Sequence, residues 1–186
     1  IKDTITDLLS CPDEHVGWIS DAVRQASRVV ESTRVDCVYA SGGPWSTLLA
    51  ARCLHEQYSI PLVLDFRDPW ISNPNLNLRT PISRWIQEQM ESKCIAAASL
   101  VVANTEELRQ DFVRRYPRIP QERFITVTNG FESMPRLSDV DGDRFTLVHA
   151  GALYQSRNPL NFLRAVAEIV TNGEIPKDAL KVRLVG

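Results

Sequence analysis

Residues 61–70 read Pro61, Leu62, Val63, Leu64, Asp65, Phe66, Arg67, Asp68, Pro69 and Trp70, an aliphatic run that breaks into two carboxylates and a guanidinium. A short apolar run without alternation suits a strand buried on both faces, the situation of a parallel sheet covered by helices. Ligands of such sheets bind beyond the carboxyl ends of the strands, so Asp65, Arg67 and Asp68 are expected to face a cleft.

The rest of the chain supplies the partners that such a strand needs. Ile19, Ala22, Val23, Ala26, Val29 and Val30 recur at three and four residues and predict a helix over 16–31, with Asp13 placed as its N-cap. Residues 35–40 read as a strand closed by the turn-forming Ser41, Gly42, Gly43 and Pro44, and 45–58 as a helix. With the strand at 61–66 this makes a strand, helix, strand unit whose strands run parallel. Prolines and asparagines make 69–81 a long loop, and Ile82, Trp85, Ile86, Met90, Ile95 and Ala98 mark an amphipathic helix that ends near Ser99. A strand at 100–103, a helix capped by Thr105 and reaching about Tyr116, and a strand at 124–128 follow, with a turn at Asn129 and Gly130.

Residues 136–144 are polar, lack periodicity and read as an interdomain linker. Beyond it come a strand at 145–150, a polar loop at 151–158, a helix at 159–171 and a strand at 181–185, a second α/β unit. The expected division is therefore 1–135, the linker 136–144, and 145–186. The chain opens on Ile1 and closes as a strand reaches its turn, so it reads as an excerpt of a longer protein.

A chain of 186 residues that is 44% hydrophobic can bury one good core or parts of two. Its formal net charge of -2 gives no general field for nucleic acid or an anionic membrane, so any anion site has to be local. Cys11, Cys37, Cys53 and Cys94 form no CxxC pair, which favours buried thiols in a reducing compartment over disulfides or zinc. No apolar stretch approaches the ~20 residues of a membrane span. His15, His55 and His149 lack metal-ligand spacing, and neither a GxSxG elbow nor an HExxH helix is present.

Three stretches could carry chemistry. Ser41, Gly42, Gly43 and Pro44 lie between a strand and a helix, where close backbone approach and exposed N–H groups suit an anion or a sugar hydroxyl. A tight turn needing glycine is the competing explanation, and neither a GxGxxG fingerprint nor a P-loop is present. In 65–70 the carboxylates around Arg67 suit either binding of substrate hydroxyls or a salt-bridged corner that anchors the next loop, with Trp70 as a core plug. Both carboxylates are expected to be ionised rather than to share a proton. Arg157, close to a helix start at Pro159, is placed as a diphosphate clamp, or is a solvated surface arginine.

In order, DCVYASGGP (36–44), IPLVLDFRDPW (60–70), LVVANTEEL (100–108), VTNGFE (127–132) and VHAGALYQSRNPLNFL (148–163) resemble bacterial glycosyltransferases of the family 4-like group. The resemblance implies the GT-B fold, with two Rossmann-like domains, the first binding mainly an acceptor and the second mainly a nucleotide-activated sugar. It implies transfer of a sugar from a nucleotide diphosphate sugar to a saccharide or lipid-linked acceptor, with retention of configuration and without a metal or other cofactor, in the bacterial cytoplasm and compatible with peripheral association at the inner membrane face. On this basis Gly151 and Arg157 are the donor-diphosphate residues. Ser41, Gly42, Gly43, Asp65, Arg67 and Asp68 line the acceptor or sugar side, and the catalytic group is unassigned. Related proteins carry a cleft histidine where this chain has Ser41, an Arg where it has Ala152, and a Lys where it has Asn158. The family's Glu-x7-Glu motif would fall beyond Gly186, so the excerpt alone is expected to be inactive. The alternatives are a GT-B epimerase acting on a nucleotide sugar and a non-catalytic binding or assembly module of the same fold.

Overall fold

The computed structural model describes residues 10–74, 76, 80–133, 144–153 and 158–186. They divide into two compact units, Ile1–Phe131 and Glu132–Gly186. The first opens with a 3-10 turn, Val16–Trp18, and helix α1 (Ile19–Ser32), followed by β1 (Val38–Gly42), α2 (Ser46–Tyr58), β2 (Leu62–Phe66), α3 (Pro81–Ala97), β3 (Leu100–Ala103), α4 (Glu106–Arg115) and β4 (Phe124–Thr126). The strands form one parallel sheet in the order β1-β2-β3-β4. Right-handed crossovers between strands that advance in one direction bring α2, α3 and α4 to the same face.

That face is the core. Ala40, Leu62, Leu64, Phe66, Val101, Ala103 and Phe124 alternate toward it and meet Leu48 and Leu49 of α2, Cys94 and Ile95 of α3, and Leu108 and Phe112 of α4. Phe112 meets Phe66 edge to face at 4.9 Å, which locks α4 over the middle of the sheet. As the unalternating run suggested, β2 is buried along its length apart from half-buried Val63.

Two of the helices start on local side-chain caps. Thr105 Oγ1 accepts from the Leu108 N–H at 3.2 Å and so caps α4 as expected, while Thr80 caps α3 from the Ser83 N–H at 3.0 Å with Pro81 in its first turn. Two expectations are corrected. Asp13 does not cap α1, whose first turn has no side-chain cap; it reaches instead to Ser46 at the start of α2. Ser41 and Gly42 belong to β1 rather than to the turn after it, because the parallel ladder continues through Ser41 opposite Asp65 and Gly42 opposite Phe66.

All four cysteines are free, with Cys11 and Cys94 buried, Cys53 half-buried and Cys37 exposed, which corrects the expectation of burial for Cys37. Burial pushes the Cys94 thiol up to about 12, so it stays protonated and inert. Among the described residues no helix is long and apolar enough to cross a membrane.

In the second unit β5 (Phe145–Ala150), α5 (Leu160–Thr171) and β6 (Leu180–Val185) form a parallel two-stranded β-α-β piece, in register from Phe145 opposite Leu180 to Ala150 opposite Val185. Apart from Arg144, the expected linker at 136–144 lies outside the described residues.

Candidate functional site

The parallel register sets which side chains meet at the carboxyl ends of the strands. Tyr39 and Ser41 are two apart on β1, hence on one face, and Ser41 lies opposite Asp65. Asp65, only 3% exposed, gathers them: Oδ2 accepts from the Tyr39 hydroxyl at 2.6 Å and from Ser41 Oγ at 3.4 Å, and Oδ1 accepts from Arg67 Nη1 at 3.3 Å. The hydrogen bond to Asp65 raises the Tyr39 phenol above its usual range, although the ring is 62% exposed.

Arg67 is held from three sides. Besides Asp65, its Nη2 donates to Asn129 Oδ1 in the irregular segment after β4, where the expected turn is not formed, and its carbonyl accepts from Asn104 Nδ2 just after β3. A buried carboxylate with three donors and an arginine fixed at both ends form a preset wall of hydrogen-bonding groups. Such a wall suits a polyhydroxylated ligand better than proton abstraction, because Asp65 is nearly buried and each of its oxygens already accepts a hydrogen bond. Asp68 is exposed and has no hydrogen-bonding partner among the described residues.

The loop that follows is pinned underneath. Trp70, fully buried, stacks on Trp45 at 5.2 Å and 4° and donates from Nε1 to Gln87 Oε1 at 2.8 Å. The Ile71 N–H donates to Glu91 Oε2 at 2.8 Å. Glu91 is itself wholly buried and also accepts from the Tyr116 hydroxyl at 2.5 Å and from Arg115. Burial raises the Glu91 carboxyl above the ordinary carboxylate range, against the pull of Arg115 and these hydrogen bonds. Trp70 is therefore the core plug that its sequence context allowed, and Gln87 and Glu91 on α3 keep the backbone beyond Asp68 in one place.

The structure thus brings Ser41, Asp65 and Arg67 together and leaves Asp68 beside them at the surface. Gly42 and Gly43 set the backbone between β1 and α2. A Cβ on Gly42 would come within 2.9 Å of the Trp45 ring, and Gly43 has φ +89°. Sequence reasoning missed Tyr39, Asn104 and Asn129 as members of the cluster. A usable signal existed: Tyr39 shares the two-residue period of Ser41, Asn104 directly follows β3, and Asn129 lies three residues beyond β4.

In the second unit Gly151 ends β5 with φ +139°, and its N–H donates to the Val185 carbonyl at 2.7 Å. The His149 Nε2 nearby is buried without a hydrogen-bonding partner among the described residues. Arg157, the expected diphosphate clamp, lies outside the described residues. Among the described residues no group of three or more His, Cys, Asp or Glu side chains could hold a metal ion.

No curated protein matches the chain in sequence. A crystal structure of UDP-N-acetylglucosamine 2-epimerase is similar to it with a TM-score of 0.46 and 19% identity, over 88% of this chain and 42% of that one, so the chain spans under half that protein's length. The family model described as a glycosyl transferase 4-like domain matches residues 7–130, which takes in every element of the first unit and the whole Tyr39, Asp65, Arg67 and Asn129 cluster. The α/β class and the Rossmann-like parallel sheet expected of a GT-B protein are present, and the chain belongs to the glycosyl transferase 4-like family.

Proposed function

We propose that the protein carrying this chain transfers a sugar from a nucleotide diphosphate sugar to a saccharide or lipid-linked acceptor, with retention of configuration and without a metal ion. The observation that carries this reading is that the glycosyl transferase 4-like match covers the strand ends where Asp65 and Arg67 are held in a fixed pose. The first unit serves as the acceptor side, with Ser41, Gly42, Gly43, Asp65, Arg67 and Asp68 orienting the acceptor or the transferred sugar.

In the reaction the bond from the anomeric carbon to the diphosphate breaks and the acceptor hydroxyl oxygen takes its place, losing its proton. The nucleoside diphosphate leaves as an anion. Arg157 and the backbone around Gly151 stabilise the charge that builds on the departing diphosphate, the electrostatic role expected where no metal supplies it. The setting is the bacterial cytoplasm, at or near the inner membrane face, and the chain alone is inactive.

The test is incubation of the intact protein with a panel of nucleotide diphosphate sugars, with and without saccharide and lipid-linked acceptors. Acceptor-dependent release of nucleoside diphosphate is expected, reduced in Arg157→Ala. Epimerised nucleotide sugar formed without acceptor, or no nucleotide binding in calorimetry, would overturn the transferase reading in favour of an epimerase or a binding module respectively.

A further inference from the structure

Tyr39 is an exposed aromatic residue that is nonetheless fixed in place. Its ring is 62% exposed, yet its hydroxyl donates at 2.6 Å to Oδ2 of Asp65, a carboxylate that is 3% exposed. A short hydrogen bond to a charged acceptor holds the ring where an untethered surface tyrosine would exchange between rotamers. Trp18 and Trp85, 51% and 61% exposed, have no such tether from their indoles among the described residues.

The strand register gives the ring its direction. Tyr39 stands opposite Val63, while its hydroxyl reaches Asp65, two residues further along β2. The ring therefore lies along the sheet toward the carboxyl ends of the strands and ends on the carboxylate that Ser41 Oγ and Arg67 Nη1 also reach. Among the described residues no other ring and no guanidinium stacks on it. It borders an open groove of about 470 Å³, shared with Trp18, Gln25 and Thr47, within the range of about 300–1,000 Å³ usual for small-ligand sites. A free aromatic face beside a hydroxyl and a guanidinium matches the two-sided character of a pyranose, whose hydroxyls project outward and whose C–H bonds form apolar faces. The negative face of an aromatic ring attracts those weakly positive C–H groups. A prenyl chain or a bare phosphate matches only one half of this arrangement.

We propose that Tyr39 is a specificity-determining residue: its ring is the platform on which a C–H face of the acceptor's terminal pyranose stacks, while hydroxyls of the same sugar meet Ser41 and Arg67. This naming of the ligand rests on the acceptor role proposed above. The Tyr39 hydroxyl is committed to Asp65 and serves to orient the ring. A lipid-linked acceptor then has to carry a sugar already, supplied by an earlier glycosyl or sugar-phosphate transfer.

The test records saturation-transfer-difference NMR of the intact protein with a panel of methyl hexopyranosides as probes and no nucleotide present. At least one is expected to bind the wild type saturably and to receive most saturation at the C–H protons of one ring face. Tyr39→Ala and Tyr39→Leu are expected to weaken this binding at least about tenfold, the scale of one aromatic contact with its buried area. Leucine keeps the apolar bulk without a ring, and decides the matter if the alanine variant does not fold. Tyr39→Phe keeps the ring and is expected to retain affinity within about threefold, the scale of one hydrogen bond that only anchors it. Nucleoside diphosphate affinity, measured by calorimetry, is expected to be the same in all variants. No saturable glycoside binding by the wild type, full binding by Tyr39→Leu, equal losses in Tyr39→Phe and Tyr39→Leu, or a parallel loss of nucleotide affinity overturns the proposal. Glycoside binding with the expected pattern but without sugar transfer supports it and counts against the transferase reading. Transfer whose acceptor KM is unmoved by Tyr39→Leu overturns it and leaves that reading intact.

Discussion

Replacing Glu91 by alanine probes the anchor beneath the candidate site. The wild-type carboxylate is wholly buried and satisfies the Ile71 N–H, the Tyr116 hydroxyl and Arg115. Removing one partner of a buried ion pair costs about 3–5 kcal/mol, since the remaining charge and donors are left without compensation. Arg115 is not stranded completely: its side chain is 26% exposed and keeps Asp111 at 2.9 Å, which puts the expected loss at the lower end, about 3 kcal/mol. For a unit of this size that corresponds to a melting temperature lower by about 10 °C. Urea denaturation followed by far-ultraviolet circular dichroism reads the loss directly, provided a second probe gives the same transition.

The pH dependence has a defined sign. Burial raises the folded-state pKa of Glu91 above its unfolded value, so the folded state binds this proton more tightly. The group's contribution is fully present below its unfolded pKa and declines as pH rises through the raised folded pKa. The deficit of Glu91→Ala is therefore expected to be larger in mild acid than at neutral pH. A loss below about 1 kcal/mol at neutral pH, the level of an exposed ion pair, would refute the reasoning by showing that the anchor is not cooperative.

Three further outcomes follow from other parts of the first unit. Glu106, bound by Arg109, Thr126 and Gln110, is expected to titrate at about 2 in carboxyl-carbon NMR, so that its stabilising contribution is present above the ordinary carboxylate pKa and lost as pH falls through about 2; a midpoint near the ordinary value of 4.5 counts against those contacts. Gly42→Ala drives a Cβ into the Trp45 ring and is expected to alter the near-ultraviolet circular dichroism of the Trp45–Trp70 stack, whereas Gly43→Ala meets no atom within 4 Å and costs only backbone strain, about 1–2 kcal/mol, without that spectral change. Asp65→Ala leaves the Tyr39 hydroxyl without its acceptor, and the phenol is expected to titrate at lower pH by ultraviolet absorbance; an unchanged titration means that the 2.6 Å hydrogen bond is not populated in solution.

Elements governed by local signals were legible in the sequence. The unalternating run at β2, the Thr105 cap and the strands Leu100–Ala103 and Phe145–Ala150 each follow from a few neighbouring residues. What depended on distant partners was not. Ser41 and Gly42 look like turn residues until the ladder to Asp65 and Phe66 draws them into β1. Asp13 reads as the cap of the helix that follows it, yet the helix start it caps, at Ser46, lies 33 residues away. Glu91 looks like part of the polar face of an amphipathic helix, because its partners Ile71, Arg115 and Tyr116 come from a loop and another helix. The candidate site divides in the same way: Asp65 and Arg67 stood out by their position at a strand end, while Tyr39, Asn104 and Asn129 carried only the weaker signal of strand period and strand-end position, which the tertiary fold turned into contacts.

The central claim is that the strand ends of the first unit hold the acceptor of a sugar transfer. The most direct measurement is the steady-state kinetics of the intact protein with the acceptor concentration varied, comparing wild type with Arg67→Ala, alongside calorimetry of nucleotide binding. The account predicts an acceptor KM higher by at least about tenfold in the variant, the scale of a lost hydrogen bond to a charged group, with nucleotide affinity unchanged. Transfer with an unaltered acceptor KM, or a loss confined to nucleotide binding, would contradict it.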